Sequence, residues 1–413
     1  MPPLLRSTLT LLTGSALAQA LPLALAPVLT RLYTPEQFGQ FTIFTAVAAN
    51  IGVVACARYE YALPLEVDAE RARSLLALCI RVLVAVTLLC VPLALWLSLD
   101  TMSTVWLWLP WMVASAGAVQ CLTLWATRGQ RFSALAGARV VQYGGAALAQ
   151  VGGAFAVPGT GAHGLIAGPV LANVATLALL HRPAPAGGWR GLWRVPRADW
   201  FAAAKCHRSF PLLNAPHAFS GALQDTLTVL LLIWWSGDAA VGFWGLAMRV
   251  LKAPATLVGG AVSQVLYPSL VRADEASARQ AVRQVMWVLM ALALPLVLGL
   301  VAFGPALFAA LFGEPWREAG ELARALAPYI GLHFVASPLA VVTLAWQAQG
   351  WALRLALLGQ LMFLGALCIG LQFGGLQGAA WAVSAGMLPY FAFYFWSLAC
   401  WPMAKLPAPL VER

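Results

Sequence analysis

Residues 225–252 read DTLTVLLLIWWSGDAAVGFWGLAMRVLK. This stretch decides the fold. An apolar arm over about 209–235 ends in Trp234-Trp235, turns tightly at Ser236-Gly237-Asp238, and continues as a second apolar arm over about 239–267. Asp225 lies near the middle of the first arm, and Arg249 and Lys252 lie near the middle of the second. A charged side chain at the centre of a bilayer costs about 3 kcal/mol, so three of them are tolerated only where they face protein or water. The hairpin is therefore read as two membrane helices carrying a functional site.

The rest of the chain fits that environment. Of 413 residues, 61% are hydrophobic and 10% are charged, and mean hydropathy is +0.80. Soluble domains carry about 25% charged residues. A span needs about 20 apolar residues. Twelve windows qualify: about 8–31, 38–62, 73–98, 103–127, 133–156, 162–181, 209–235, 239–267, 279–304, 319–346, 350–373 and 377–400. Little chain is left for a soluble catalytic domain.

The net charge of +10 is a topology signal and gives no reason to expect a nucleic acid. With the N-terminus inside, Arg6, Arg71, Arg73, Arg128, Arg131, the linker cations, Arg272, Arg279, Arg283, Arg354, Lys405 and Arg413 fall on the inner side. Arg31, Arg317 and Arg324 fall outside. The positive-inside rule then places both termini in the cytoplasm. Ala18-Gln19-Ala20 resembles a leader cleavage site, but the apolar run continues to Thr30, so the first span is expected to be retained. The seven cysteines form no Cys-x-x-Cys pair, which favours buried thiols over disulfides or zinc.

Domain organisation follows from the spans. Residues 1–181 read as an N-terminal six-helix lobe and 208–400 as a C-terminal one, with 401–413 a short cytoplasmic tail. Between the lobes, 182–207 is a linker in which Trp189, Trp193, Trp200 and Phe201 alternate with Arg190, Arg194 and Arg197. Such a segment suits the surface of an anionic leaflet. A shift of 203 residues lays Tyr33-Thr34-Pro35 over Ser236-Gly237-Asp238 and Gly39 over Gly242, consistent with a parallel repeat. Thr34-Pro35-Glu36 itself reads as an N-cap, a first-turn proline and an acidic first turn.

Helical spacing supplies the candidate site. Asn214, His217, Gly221 and Asp225 share one stripe of the seventh span. Gly242, Gly245, Arg249, Lys252, Thr256 and Ser263 share another on the eighth, and Thr8, Ser15, Gln19 and Pro22 line up on the first. Asp225 can neutralise one of Arg249 and Lys252, which leaves a surplus cation suited to an anionic ligand; a purely structural Asp225–Arg249 pair is the alternative. Arg58 either snorkels to the interface or lines a cavity mouth. Arg81 is read as snorkelling. Arg139, Gln142, Ala146, Gln150 and Gly153 form a face of the fifth span that serves either a cavity or close helix packing. His333 stands alone in the tenth span. No metal, nucleotide or hydrolase motif is present, so neither a cofactor nor an enzyme is expected.

Three passages carry a family resemblance. They are Leu29-Thr30-Arg31-Leu32-Tyr33-Thr34-Pro35-Glu36-Gln37-Phe38-Gly39 followed by Arg58-Tyr59-Glu60, then Gly242–Leu251 with Gln264–Pro268, and Phe312–Gly320. The sequence resembles the bacterial lipid-linked oligosaccharide flippases, the O-antigen and exopolysaccharide translocases of the multidrug/oligosaccharidyl-lipid/polysaccharide exporter superfamily. The resemblance implies an all-α membrane protein of about twelve transmembrane helices, in two pseudo-symmetric six-helix lobes around a central cationic cavity. It implies alternating access in the bacterial inner membrane, with undecaprenyl-pyrophosphate-linked repeat units as cargo for surface polysaccharides such as lipopolysaccharide. Membrane lipids, a polysaccharide polymerase and a chain-length regulator are the candidate partners, and the expected state is a monomer. The rival readings are a cation-coupled drug antiporter and a polysaccharide polymerase or ligase. Arg249, Lys252, Asp225, Arg58, Arg139, His217, Asn214 and Gln19 are the candidate substrate-binding residues.

Overall fold

The computed structural model describes residues 3–156, 159, 161–182, 184, 188–346 and 348–400. The tail 401–413, Pro183, Pro185 and Gly187 lie outside the described residues, as do the side chains of Arg6, Thr8, Ser15, His217, Gln264, Pro268 and Arg272. Every regular element among the described residues is helical. The helices are α1 Pro3–Leu32, α2 Pro35–Val54, α3 Ala69–Asp100, α4 Leu109–Arg128, α5 Phe132–Arg139, α6 Gly145–Ala156 and α7 Ala162–Leu180. Then come the short α8 Gly188–Gly191 and α9 Arg197–Cys206, and the long α10 Ala215–Arg272, α11 Glu275–Phe312, α12 Arg317–Ala345 and α13 Gln349–Ala399.

Eight helical stretches among the described residues are long and apolar enough to cross a bilayer. Two of these, in α10 and α13, each contain two arms. Gly237 breaks α10 at φ 81° and Gly375 breaks α13 at φ 59°, both in the left-handed region where glycine carries no Cβ penalty. The arms bring the spans to ten. Helix α1 and the stretch that is helical without interruption from Phe132 to Ala156 bring them to twelve, the number read from the sequence.

By contact the chain forms two compact units, Met1–Leu230 and Leu231–Arg413. In the first, Phe44, Leu63, Leu75, Leu76, Leu109, Val113 and Ile166 form a core to which α2, α3, α4 and α7 all contribute. The expected cap of α2 is present as a full capping box. Thr34 accepts from the Gln37 amide, the Gln37 side chain accepts from the Thr34 amide, and Pro35 opens the helix.

In the second unit, close helix approach depends on glycine. A Cβ at Gly320 would stand 2.6 Å from the Pro305 Cα and 2.7 Å from the Gly304 carbonyl oxygen, so α11 and α12 touch backbone to backbone there. Likewise a Cβ at Gly378 would stand 2.8 Å from the Gly370 oxygen, which folds the arms of α13 tightly together. Small residues allow such contact where no hydrophobic effect drives helices together in lipid.

The second span differs from its expected extent of 38–62. Helix α2 ends at Val54, Ala57 and Arg58 take left-handed conformations at φ 50° and 64°, and a 3-10 turn follows over Tyr59–Leu65. In this turn Glu60 is buried, 3% exposed, between the half-buried Tyr59 and Tyr61.

Gly320→Ala is expected to destabilise the protein by about 1–3 kcal/mol through overpacking, read as a lower thermal midpoint in detergent. Gly365→Ala, where an added Cβ meets nothing within 4 Å, is expected to leave the midpoint unchanged or to raise it.

Candidate functional site

The charged residues of α10 divide between the two units: Asp225 belongs to the first, Arg249 and Lys252 to the second. Asp225 is exposed and has no ion-pair partner among the described residues of its unit. The next residue, Thr226, hydrogen-bonds the buried Asn50 of α2, whose amide also donates to the carbonyls of Ala46 and Ala222, each at 3.1 Å. Thr226 donates in turn to the Ala46 carbonyl at 3.1 Å. This node fixes the rotation of the first arm of α10 against α2 and leaves Asp225 on a different face. Asn214 is exposed, in a π-helical turn over Phe210–Asn214.

Arg249 and Lys252 are half-buried and three residues apart, which places them one above the other on the second arm. Within the second unit neither has a carboxylate partner among the described residues. His333 of α12 does not stand alone as read from the sequence. It lies close enough to Lys252 to feel its charge and stacks on Tyr329 with ring centroids 6.0 Å apart. Farther along, Gly259 packs on Ser337, and the Ser263 hydroxyl donates to the Pro338 carbonyl at 3.1 Å. The pairs Lys252/His333, Gly259/Ser337 and Ser263/Pro338 ascend together, so the second arm of α10 and α12 run parallel. One end of the polar stripe is thus consumed in packing, and the other carries two cations.

The remaining candidates scatter over the first unit. Gln19, on α1, is half-buried and has polar partners. Arg58 sits at the left-handed turn with its guanidinium 4.5 Å from the centroid of the Tyr61 ring. Its buried Nε and the buried Oε2 of Glu60 have no hydrogen-bond partner among the described residues. Arg139 is exposed at the end of α5.

The amides read on its face belong to the packing. A π-turn over Val140–Gly144 shifts the helical register. Gln142 donates to Asn173, Asn173 donates to Ser115, and Gln150 donates to the Leu165 carbonyl at 2.7 Å. Gln150 is 2% exposed, and the Tyr33 hydroxyl caps its carbonyl at 2.7 Å.

The third landmark is also structural. Trp316 is 1% exposed and meets Phe243 edge-to-face at 5.9 Å, joining the turn before α12 to the second arm of α10. Next to it Arg317 grips Glu314 through two hydrogen bonds, at 2.6 and 3.3 Å, which hold the Glu314 carboxyl below the usual range.

Comparison with known proteins reaches the same architecture. Residues 28–321 match the family model described as polysaccharide biosynthesis protein. Teichuronic acid biosynthesis protein TuaB of Bacillus subtilis (strain 168) is 25% identical over 220 residues, a match spanning 50% of this chain and 45% of TuaB. The chain therefore spans under half the length of that curated relative. A lipid II flippase MurJ structure in an inward closed conformation aligns with TM-score 0.71 at 11% identity, over 94% of this chain and 87% of its own. An inward-facing multidrug resistance MATE family transporter aligns with TM-score 0.65 at 14% identity, over 95% and 93%. The Vibrio cholerae MATE transporter VcmN in its bent form aligns with TM-score 0.55 at 16% identity, over 95% and 96%. At these identities the structural matches establish the fold alone, a helical membrane protein of two lobes.

The amide contacts are directly testable. Gln150→Ala leaves the Leu165 carbonyl unsatisfied in the core and is expected to cost about 1–3 kcal/mol, read as a lower thermal unfolding midpoint.

Proposed function

The chain belongs to the polysaccharide biosynthesis protein family, and from that premise we propose that it is a flippase, not an enzyme. It carries undecaprenyl-pyrophosphate-linked oligosaccharide repeat units across the bacterial cytoplasmic membrane by alternating access, for surface polysaccharide assembly. In this reading both termini are cytoplasmic, the protein acts as a monomer, and a polymerase and chain-length regulator take up the product.

The observation that carries the reading is the pair Arg249 and Lys252. Two cations one turn apart in a membrane helix, with no carboxylate of their unit paired to either among the described residues, are costly unless water or an anion completes them. A pyrophosphate supplies that anion. Arg249 offers a planar fork matching phosphate oxygens and Lys252 a compact point charge. His333, beside Lys252, adds a polar group at the same level. In this reading Gln19, Arg58, Arg139, Asn214 and Asp225 of the first unit are assigned to the glycan. The membrane potential assists export, because an anion leaving a negative-inside cell gains about 2.3 kcal/mol per charge per 100 mV.

The MATE likeness keeps a drug/cation antiporter as the second reading. A cationic drug would call for carboxylates where this chain carries Arg249 and Lys252, and the charge sign favours an anionic cargo.

In a deletion strain lacking surface polysaccharide, wild type is expected to restore export and clear accumulated lipid-linked repeat units. Arg249→Ala/Lys252→Ala at equal expression is expected to lose at least tenfold in export, the equivalent of about 1.4 kcal/mol. Full rescue by the double variant would remove these residues from the mechanism. No accumulation in the deletion strain would remove the flippase reading.

A further inference from the structure

From Trp189 to His207 the linker between α7 and α10 is fastened to the rest of the first unit. At its start the Trp189 indole donates to the His181 carbonyl at 3.1 Å. In its middle Arg73 donates to the Gly191 carbonyl at 3.2 Å, and Arg81 donates to the carbonyls of Trp193 and Val195 at 3.1 and 3.3 Å. Leu192 and Val195 are buried in the unit's core. At its end the Tyr59 hydroxyl donates to the Ala204 carbonyl at 3.4 Å, and His207 pairs with Glu66 at 3.4 Å.

Arg81 also fixes the depth at which the linker docks. From Arg81 to Asp100 helix α3 rises about 30 Å, the thickness of the hydrocarbon layer, and the intervening residues carry no charge. Arg81 therefore marks the hydrocarbon boundary. Its guanidinium also anchors the linker, through the carbonyls of Trp193 and Val195. Its guanidinium lies 5.7 Å from the centroid of Trp193 and 5.6 Å from that of Trp200, so both rings sit at that boundary, where aromatic belts form.

What the docked linker leaves outward is mixed in character. Trp193 is 56% and Phe201 67% exposed, and Arg190, Arg194 and Arg197 are exposed and in no ion pair among the described residues. Over 182–208 six cations stand against one acid, Asp199. An apolar ring beside an unpaired guanidinium, held at headgroup depth, matches an anionic phospholipid: the ring enters the acyl boundary and the guanidinium meets the phosphate. A soluble acidic partner would satisfy the charges but would have no use for aromatic rings held at the hydrocarbon boundary.

We propose that the surface formed by Arg190, Trp193, Arg194, Arg197 and Phe201 is a binding site for anionic phospholipid headgroups of the cytoplasmic leaflet, and that this contact holds the linker against α3. It rests on the cytoplasmic placement of the linker but not on what the protein transports.

The test compares hydrogen exchange of residues 188–206 in the full chain, in nanodiscs of phosphatidylcholine alone or with added phosphatidylglycerol. Each arginine near an anionic surface favours it by about fivefold. Exchange is expected to slow at least fivefold when phosphatidylglycerol is present, and the protection is expected to fall at high salt. Arg190→Gln/Arg194→Gln/Arg197→Gln is expected to abolish the difference while exchange in α3 and α4 stays unchanged. Equal exchange of the wild-type linker in both nanodiscs, or full lipid dependence in the triple variant, would overturn the proposal. Because the readout involves no transport, its failure is distinguishable from failure of the flippase reading.

Discussion

A polar group that enters hydrocarbon has to be satisfied by protein, because the bilayer offers no water to do so. Most of this structure is an answer to that constraint. Gln150 is held by Leu165 and Tyr33, Gln142 by Asn173, Asn173 by Ser115, and Asn50 by the backbone and Thr226 of α10. In the second unit Ser384 donates to the Ala325 carbonyl at 2.6 Å and Ser263 to that of Pro338. Each contact satisfies a polar atom and fixes a helix rotation at once. Against that background Arg249 and Lys252 stand out, since no carboxylate of their own unit pairs with either among the described residues. In the function we propose, an anionic ligand supplies that counter-charge.

Much of this was legible in the sequence. Hydropathy marks the spans because a membrane helix has to be apolar over its whole length. Ser236-Gly237-Asp238 marks the break in α10 because only glycine takes φ 81° without strain. Thr34-Pro35 marks the start of α2 because the cap is a local interaction. Where the determinants were tertiary, sequence reading fell short. Arg58-Tyr59-Glu60-Tyr61 looks like the end of a span, yet burial of Glu60 and a left-handed turn set it outside α2. The face through Arg139, Gln142 and Gln150 assumes an unbroken helix, and a π-turn displaces its register. That Arg81 holds the linker is not visible in the sequence because its partners, the carbonyls of Trp193 and Val195, lie more than a hundred residues away. His333 looks isolated for the same reason.

The charge pattern serves more than orientation. Cations at the inner ends of the spans favour the topology, but Arg73 and Arg81 also recruit the linker onto α3. The linker in turn contributes Leu192 and Val195 to the core. An aromatic, arginine-rich connection between two sets of spans thereby becomes part of the first unit's packing, with its outward face left for the leaflet. Two of the chain's many cations, Arg73 and Arg81, thus hold the linker, and on our proposals others set the topology and face the anionic lipids of the membrane.

The most direct measurement of the central claim is transport by the purified chain in proteoliposomes loaded with an undecaprenyl-pyrophosphate-linked oligosaccharide. Arrival of the glycan in the opposite leaflet would be read by a membrane-impermeant glycan-cleaving enzyme. The account expects protein-dependent arrival that accelerates when the potential is negative on the side of departure. Arrival no faster than in protein-free vesicles, at either potential, would contradict it.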